Sequence, residues 1–223
     1  RYSLLRWIEQ YNYDIIDNEM LLAYTGEYFI CYYHGEAWSQ EQPPADEEIA
    51  ASLRIDRLTI WYDQDAVEFK AEYTHARGRT SESVYRGVAR YNSSTIQLVL
   101  KEDKEKKGVE NNYAYSLISN NAQANFVHIT VSTPLTLPEA LKETIKEYTY
   151  FPGIVNGMND SNSAPVSFRM ALVKREKLVD DKTWEINRVF APILHLDNPI
   201  MKEIIDYFRI HSESLSIKID LKN

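Results

Sequence analysis

The hydrophobic positions of the chain follow two rhythms. At the start, Leu4, Leu5, Ile8, Tyr11 and Ile15 recur at helical spacing and predict an amphipathic helix over residues 1–16. Arg6, Glu9 and Gln10 fall largely on its other side, and Asp17-Asn18-Glu19 reads as a stop or hinge. From Gly26 the rhythm becomes that of strands. Residues 27–34 are dense in Tyr, Phe, Ile and Cys at both parities, which predicts a strand covered on both faces. The clearest alternation runs from Val67 to Thr74. Val67, Phe69, Ala71 and Tyr73 alternate with Glu68, Lys70, Glu72 and Thr74, placing one face in a core and one in water. Val166, Phe168, Met170 and Leu172 alternate in the same way with Ser167, Arg169, Ala171 and Val173.

Further strands are predicted over 53–62, 84–91, 95–100, 113–119, 125–132 and 150–158. Asp63-Gln64-Asp65, Asn92-Ser93-Ser94 and Asn120-Asn121-Ala122-Gln123 are polar connections consistent with hairpins. Residues 35–50, with Pro43-Pro44, read as a mobile acidic loop. Pro138 followed by Glu139, Ala140 and Leu141 suggests a short helix or a loop crossing a barrel end. Helical character returns over 184–194. Asn198 as cap and Pro199 at the first position then open a helix running to His211. Leu215, Ile217 and Ile219 suggest a final short strand. About eight strands in a meander predict a barrel or strongly curled antiparallel sheet. The expected division is an N-terminal helix at 1–19, a β domain at 20–177 and a helical segment at 178–223 that packs on it.

Composition sharpens this picture only in places. Among 223 residues there are 16 Tyr and 4 Trp, suited to strands and to half-wet walls. A net charge of −8 opposes nucleic-acid binding. Cys31 is the one cysteine, so no intramolecular disulfide can form, which fits a reducing, cytoplasmic setting. No apolar run approaches the roughly 18 residues of a membrane-spanning helix, and no signal peptide is visible. The chain opens on Arg1 rather than Met, as a piece of a longer protein would. Missing targeting signals therefore carry little weight.

Motifs for chemistry are scarce. Phosphate-loop, dinucleotide and nucleophile-elbow patterns are missing. His34, His75, His128, His195 and His211 are far apart in sequence, with no pair at metal spacing on one element. Cys31 reads as a buried strand residue rather than a nucleophile. No cofactor and no reaction are expected. The remaining candidates are strand arginines and tyrosines. Arg86 shares a parity with Val84 and Val88, and Arg169 shares one with small residues. An arginine fork pairs with carboxylate or phosphate, and Tyr28, Tyr32, Tyr73 and Tyr85 could stack on a flat ligand. Two arrangements stay open: arginines inside a hollow barrel, or arginines on its outer face paired with Asp and Glu.

Four segments carry a resemblance: Tyr24-Thr25-Gly26-Glu27-Tyr28, Tyr85-Arg86-Gly87, Phe151-Pro152-Gly153-Ile154 and Val166-Ser167-Phe168-Arg169. Over about residues 24–175 the chain resembles the lipocalin-like barrels of bacterial antiphage effectors that sense cyclic nucleotides. The likeness implies a lipocalin-like barrel and a nucleotide-type ligand. Those effectors carry two membrane helices before the barrel, whereas this chain has a soluble amphipathic segment there and an added helical C-terminus. The expected function is a sensor domain for a small anionic ligand. The competing expectation is a protein-interaction or assembly module. Its barrel would be solid, and its terminal helices would meet a partner or a second copy.

Overall fold

The strand alternation becomes a wall closed on itself. The computed structural model describes residues 19–33, 42, 44–77, 81–92, 94–103, 126–134, 147–158, 165–178, 198–211 and 216–218. The expected elements at 1–16, 113–119 and 184–194, and the core of the segment at 135–146, lie outside those residues. The strands are β1 (Gly26–Tyr33), β2 (Leu53–Asp63), β3 (Glu68–Arg77), β4 (Ser81–Asn92), β5 (Thr95–Glu102), β6 (Phe126–Ser132), β7 (Phe151–Met158), β8 (Pro165–Lys174) and β9 (Ser216–Lys218). Each pairs antiparallel with the next, and β1 also pairs with β8, from Tyr28↔Lys174 to Tyr32↔Met170. The result is a closed eight-stranded antiparallel barrel. β9 extends the edge of β8 along Val166–Phe168, where its pairing with β1 has ended.

Parity decides what fills the barrel. Tyr28, Ile30, Leu58, Ile60, Ala71, Leu98, Leu100, Ile129 and Leu172 point inward and form one buried cluster. An eight-stranded barrel is just wide enough for side chains to fill. At one end, the base, a helical turn at residues 19–23 plugs the barrel, its Met20 and Leu21 joining the core with Tyr24. Tyr24 meets Phe151 edge-on at 5.5 Å. At the other end, the mouth, β1, β3, β5 and β7 finish and β2, β4, β6 and β8 begin.

β1 is apolar at both parities because its outer face is also covered. Phe29, Cys31 and Tyr33 join Ala171 and Val173 of β8 beneath helices α1 (Asp46–Ser52) and α3 (Pro199–Ile210). The single turn α2 (Arg175–Leu178) adds Leu178. The Asn198 side chain caps α3 by accepting from the Ile200 N–H at 2.9 Å, with Pro199 at the first position. Met201, Ile204, Ile205 and Phe208 form the buried stripe. Among the described residues no helix is long and apolar enough to cross a membrane.

Two expectations need correction. Asp46, Glu47 and Glu48 do not lie in a loop; they form the first turn of α1, where carboxylates suit the helix dipole. There Glu48 also accepts the Ala45 N–H at 3.2 Å. Val67 is not a core strand residue. It sits in the β2–β3 turn with φ of 54° and 73% exposure, beside Asp63, whose Oδ1 accepts the N–H groups of Asp65 and Ala66.

Candidate functional site

Polar residues on an inward parity must find partners within the barrel. Three adjacent strands supply such residues near the mouth. Asp56 of β2 is 3% exposed and shares the parity of Leu58 and Ile60. His75 of β3 shares the parity of Ala71 and Tyr73, and Ser83 of β4 stands in register across from His75. The Asp56 carboxylate accepts from the Tyr73 hydroxyl at 2.6 Å and lies 2.9 Å from His75 Nδ1. Tyr32, on the neighbouring β1, also hydrogen-bonds Asp56. Burial, reinforced by the Asp56 charge, pushes the Tyr32 and Tyr73 hydroxyls well above the ordinary phenol range. Both therefore stay neutral donors at any physiological pH.

Around this cluster the wall opens into a pocket of about 80 Å³. Tyr32, Tyr73, Tyr85 and Phe168 give it aromatic sides, His75 a polar one, and Val127, Val155, Gly157 and Val166 the remainder, with Phe126 at the start of β6 also lining it. Tyr73 and Tyr85 lie 5.7 Å apart, and Tyr32 and Phe168 5.4 Å apart. Arg54 is in register with Tyr32 on the parity of Asp56, and its charge acts on the Tyr32 hydroxyl. Glu102, 6% exposed, stands in register with Tyr85 on the inward side of β5.

The six residues proposed from sequence separate. Tyr32, Tyr73 and Tyr85 come together in this pocket. Tyr28 faces inward but toward the base, where its hydroxyl donates to the Tyr24 carbonyl at 2.7 Å. Arg86 points outward; its Nε donates to Glu72 at 2.7 Å and its Nη1 to Asp103 at 2.6 Å. Arg169 lies on the outer face of β8. It borders a broad, solvent-open groove of about 780 Å³ together with Tyr150, Glu203, Tyr207 and His211. Burial and the nearby Arg169 charge lower the His211 pKa. Parity explains both arginines, since each alternates with core residues of its own strand.

Sequence reasoning counted Arg54 among the strand arginines without singling it out, and passed over Asp56, His75, Ser83 and Phe168 as ligand residues. A signal existed for three of them: Asp56, His75 and Ser83 are polar interruptions on otherwise apolar parities. Comparisons with protein-family models, curated proteins and solved structures find no match to this chain. The functional reading therefore rests on the geometry of the mouth.

Proposed function

We propose that this chain is a ligand-binding sensor domain whose barrel mouth receives one flat ring of a small anionic ligand. The observation that carries the reading is a buried carboxylate and phenol joined to a part-exposed imidazole at one end of an aromatic-walled pocket. Such convergent polar groups in a largely apolar concavity mark a binding site. The pocket's volume limits what enters. At about 80 Å³ it admits a ring edge or a few waters, so the rest of the ligand lies over the mouth. Arg54, beside Tyr32, is the cation placed to meet an anionic group there. A cyclic nucleotide has this build, a planar base joined to a phosphate. It is the sharpest form of the proposal, with the domain serving a cytoplasmic bacterial defence or regulatory protein. Arg86 and Arg169 have no part in it, and no catalytic role is assigned.

One observation favours a second reading. The barrel interior is packed with side chains, and a pocket of this size is well below the roughly 300 Å³ at which small-molecule sites begin. A solid barrel would suit a protein-interaction or assembly module. A thermal-shift screen with cyclic mono- and dinucleotides separates the two. A ligand at a hundred times its Kd adds about 2.7 kcal/mol, which for a chain of this size raises Tm by roughly 5–10 °C. That rise should disappear in Phe168→Ala and Tyr85→Ala. No shift across the panel, together with concentration-dependent self-association in sedimentation, would replace the sensor reading with the assembly one.

A further inference from the structure

Four glycines stand among the described residues, and three have a structural reason. Gly26 takes a φ of 140°, which other residues rarely adopt. A Cβ on Gly87 or Gly153 would run into the carbonyl oxygen of Val99 or Thr130 on the neighbouring strand. Gly157 has no such need. Its φ is not positive, and the β7–β8 register runs unbroken through it from Phe151↔Leu172 to Met158↔Pro165, which leaves no bulge. A Cβ there would meet nothing nearer than Val127 Cγ2 at 3.7 Å and the Phe126 carbonyl oxygen at 3.9 Å. A glycine weakens a strand, and one without a packing or backbone need often marks a close approach by a ligand. Gly157 lines the mouth pocket on the inward parity of Phe151 and Val155. In the eight-stranded wall β7 lies four strands from β3, so Gly157 faces His75 across the barrel.

Resting on the ligand-binding reading above, we propose that Gly157 sets the ring specificity of the mouth, admitting a single pyrimidine-type ring whose bare C–H edge seats against the glycine backbone. The pocket has two poles. On the β3 side stand His75 and the Tyr73 hydroxyl, both held by Asp56. On the β7 side Gly157 is flanked by Val127 and Val166, and nothing polar among the lining side chains stands beside it. Uracil and cytosine match both poles. Their polar atoms run along C2, N3 and C4, and C5 and C6 on the far edge carry only hydrogen. A purine puts a second ring there, with N7 as an acceptor that the valines cannot satisfy. Volume points the same way, since about 80 Å³ leaves no space for a fused ring beneath the mouth.

The test is calorimetric titration of the whole chain with the 3′,5′-cyclic monophosphates of uridine, cytidine, guanosine and adenosine, and with the 5-bromouridine counterpart. The two plain pyrimidines should bind at least about tenfold tighter than the purines and the brominated ring, the scale of overfilling a packed site. Gly157→Ala should weaken pyrimidine binding severalfold, and Gly157→Val at least about tenfold. Unliganded Gly157→Ala should melt within about 4 °C of the parent or above it, because its methyl enters open space. A glycine needed only by the fold would lower that temperature further and leave affinity unchanged; that result overturns the proposal even where the valine variant does not fold. Equal binding of purines or of the brominated ring, or full affinity in Gly157→Ala and Gly157→Val, overturns it too. In those cases a ligand-binding mouth survives, and loss of binding in Tyr85→Ala still reports it. Failure of every ring to bind removes both claims.

Discussion

Replacing Asp56 by alanine probes the polar cluster at its centre. The carboxylate is the shared acceptor of the Tyr73 hydroxyl, the Tyr32 hydroxyl and the His75 ring. Without it, the two phenols remain at 5% and 6% exposure with no carboxylate to receive them, whereas the His75 side chain is 31% exposed. Each buried donor left unmade costs about 1–3 kcal/mol, and the relief from no longer burying a charge offsets part of the sum. We expect Asp56→Ala to lose about 3 kcal/mol, read from urea unfolding followed by circular dichroism. Replacing the three buried members by apolar groups of similar shape should be nearly neutral, because only the part-exposed His75 then remains polar. The triple variant Asp56→Leu/Tyr32→Phe/Tyr73→Phe should thus regain most of the loss, to within about 1 kcal/mol of the parent. A loss below about 1 kcal/mol in Asp56→Ala, or strict additivity on adding Tyr73→Phe, would refute a coupled network.

Other parts of the structure give independent tests. A Cβ on Gly87 would stand 1.9 Å from the Val99 carbonyl oxygen, whereas one on Gly157 meets nothing nearer than 3.7 Å. Gly87→Ala should therefore cost about 3 kcal/mol by chemical denaturation and Gly157→Ala less than about 1 kcal/mol. Val67→Gly relieves a left-handed β-branched residue and should raise stability by about 1 kcal/mol, again by denaturation. Phe208→Ala should cost about 3–5 kcal/mol if α3 is integral to the domain. Burial pushes the Cys31 thiol from an ordinary 9.0 up to about 12, and Tyr24, Tyr28, Tyr32 and Tyr73 are raised for the same first reason. These groups are held neutral in the fold and ionise more readily once unfolded. Their contribution is whole below pH 8 and is lost as pH climbs past 9 toward the folded values, so denaturation midpoints should fall steeply above about pH 10. Over the same range Cys31 should react with thiol reagents only as fast as the protein opens.

The strands were legible where one face is dry and the other wet. Residues 68–74 alternate cleanly because β3 borders the filled interior on one face; over 166–173 the alternation marks the inner face of β8, while its outer Ala171 and Val173 are buried beneath the helices. The double apolar parity of 27–33 foretold the covered outer face of β1, and Asn198-Pro199 foretold the start of α3. The inward side of each strand was harder to read. Arg86 and Arg169 sit on faces carrying small or branched residues, and such faces look alike whether they line a lumen or lie beneath a helix. The site escaped for a related reason. Asp56, His75 and Ser83 are far apart in sequence and become neighbours only when β2, β3 and β4 pair in register. Each alone is a single polar break in an apolar alternation, a weak signal until the pairing is known. Val67 shows the limit of alternation at a strand end: its turn is set by Asp63 accepting two backbone N–H groups, and side-chain period does not report that.

Backbone amide shifts on ligand titration would locate binding directly. A cyclic nucleotide that stabilises the protein should move the signals of Tyr32, His75, Tyr85, Gly157 and Phe168 around the mouth, and leave those of Tyr24, Ile96 and Phe151 near the base unchanged. Shifts confined to the base, or to Arg169, Tyr207 and His211 on the outer groove, would contradict a ligand site inside the barrel mouth.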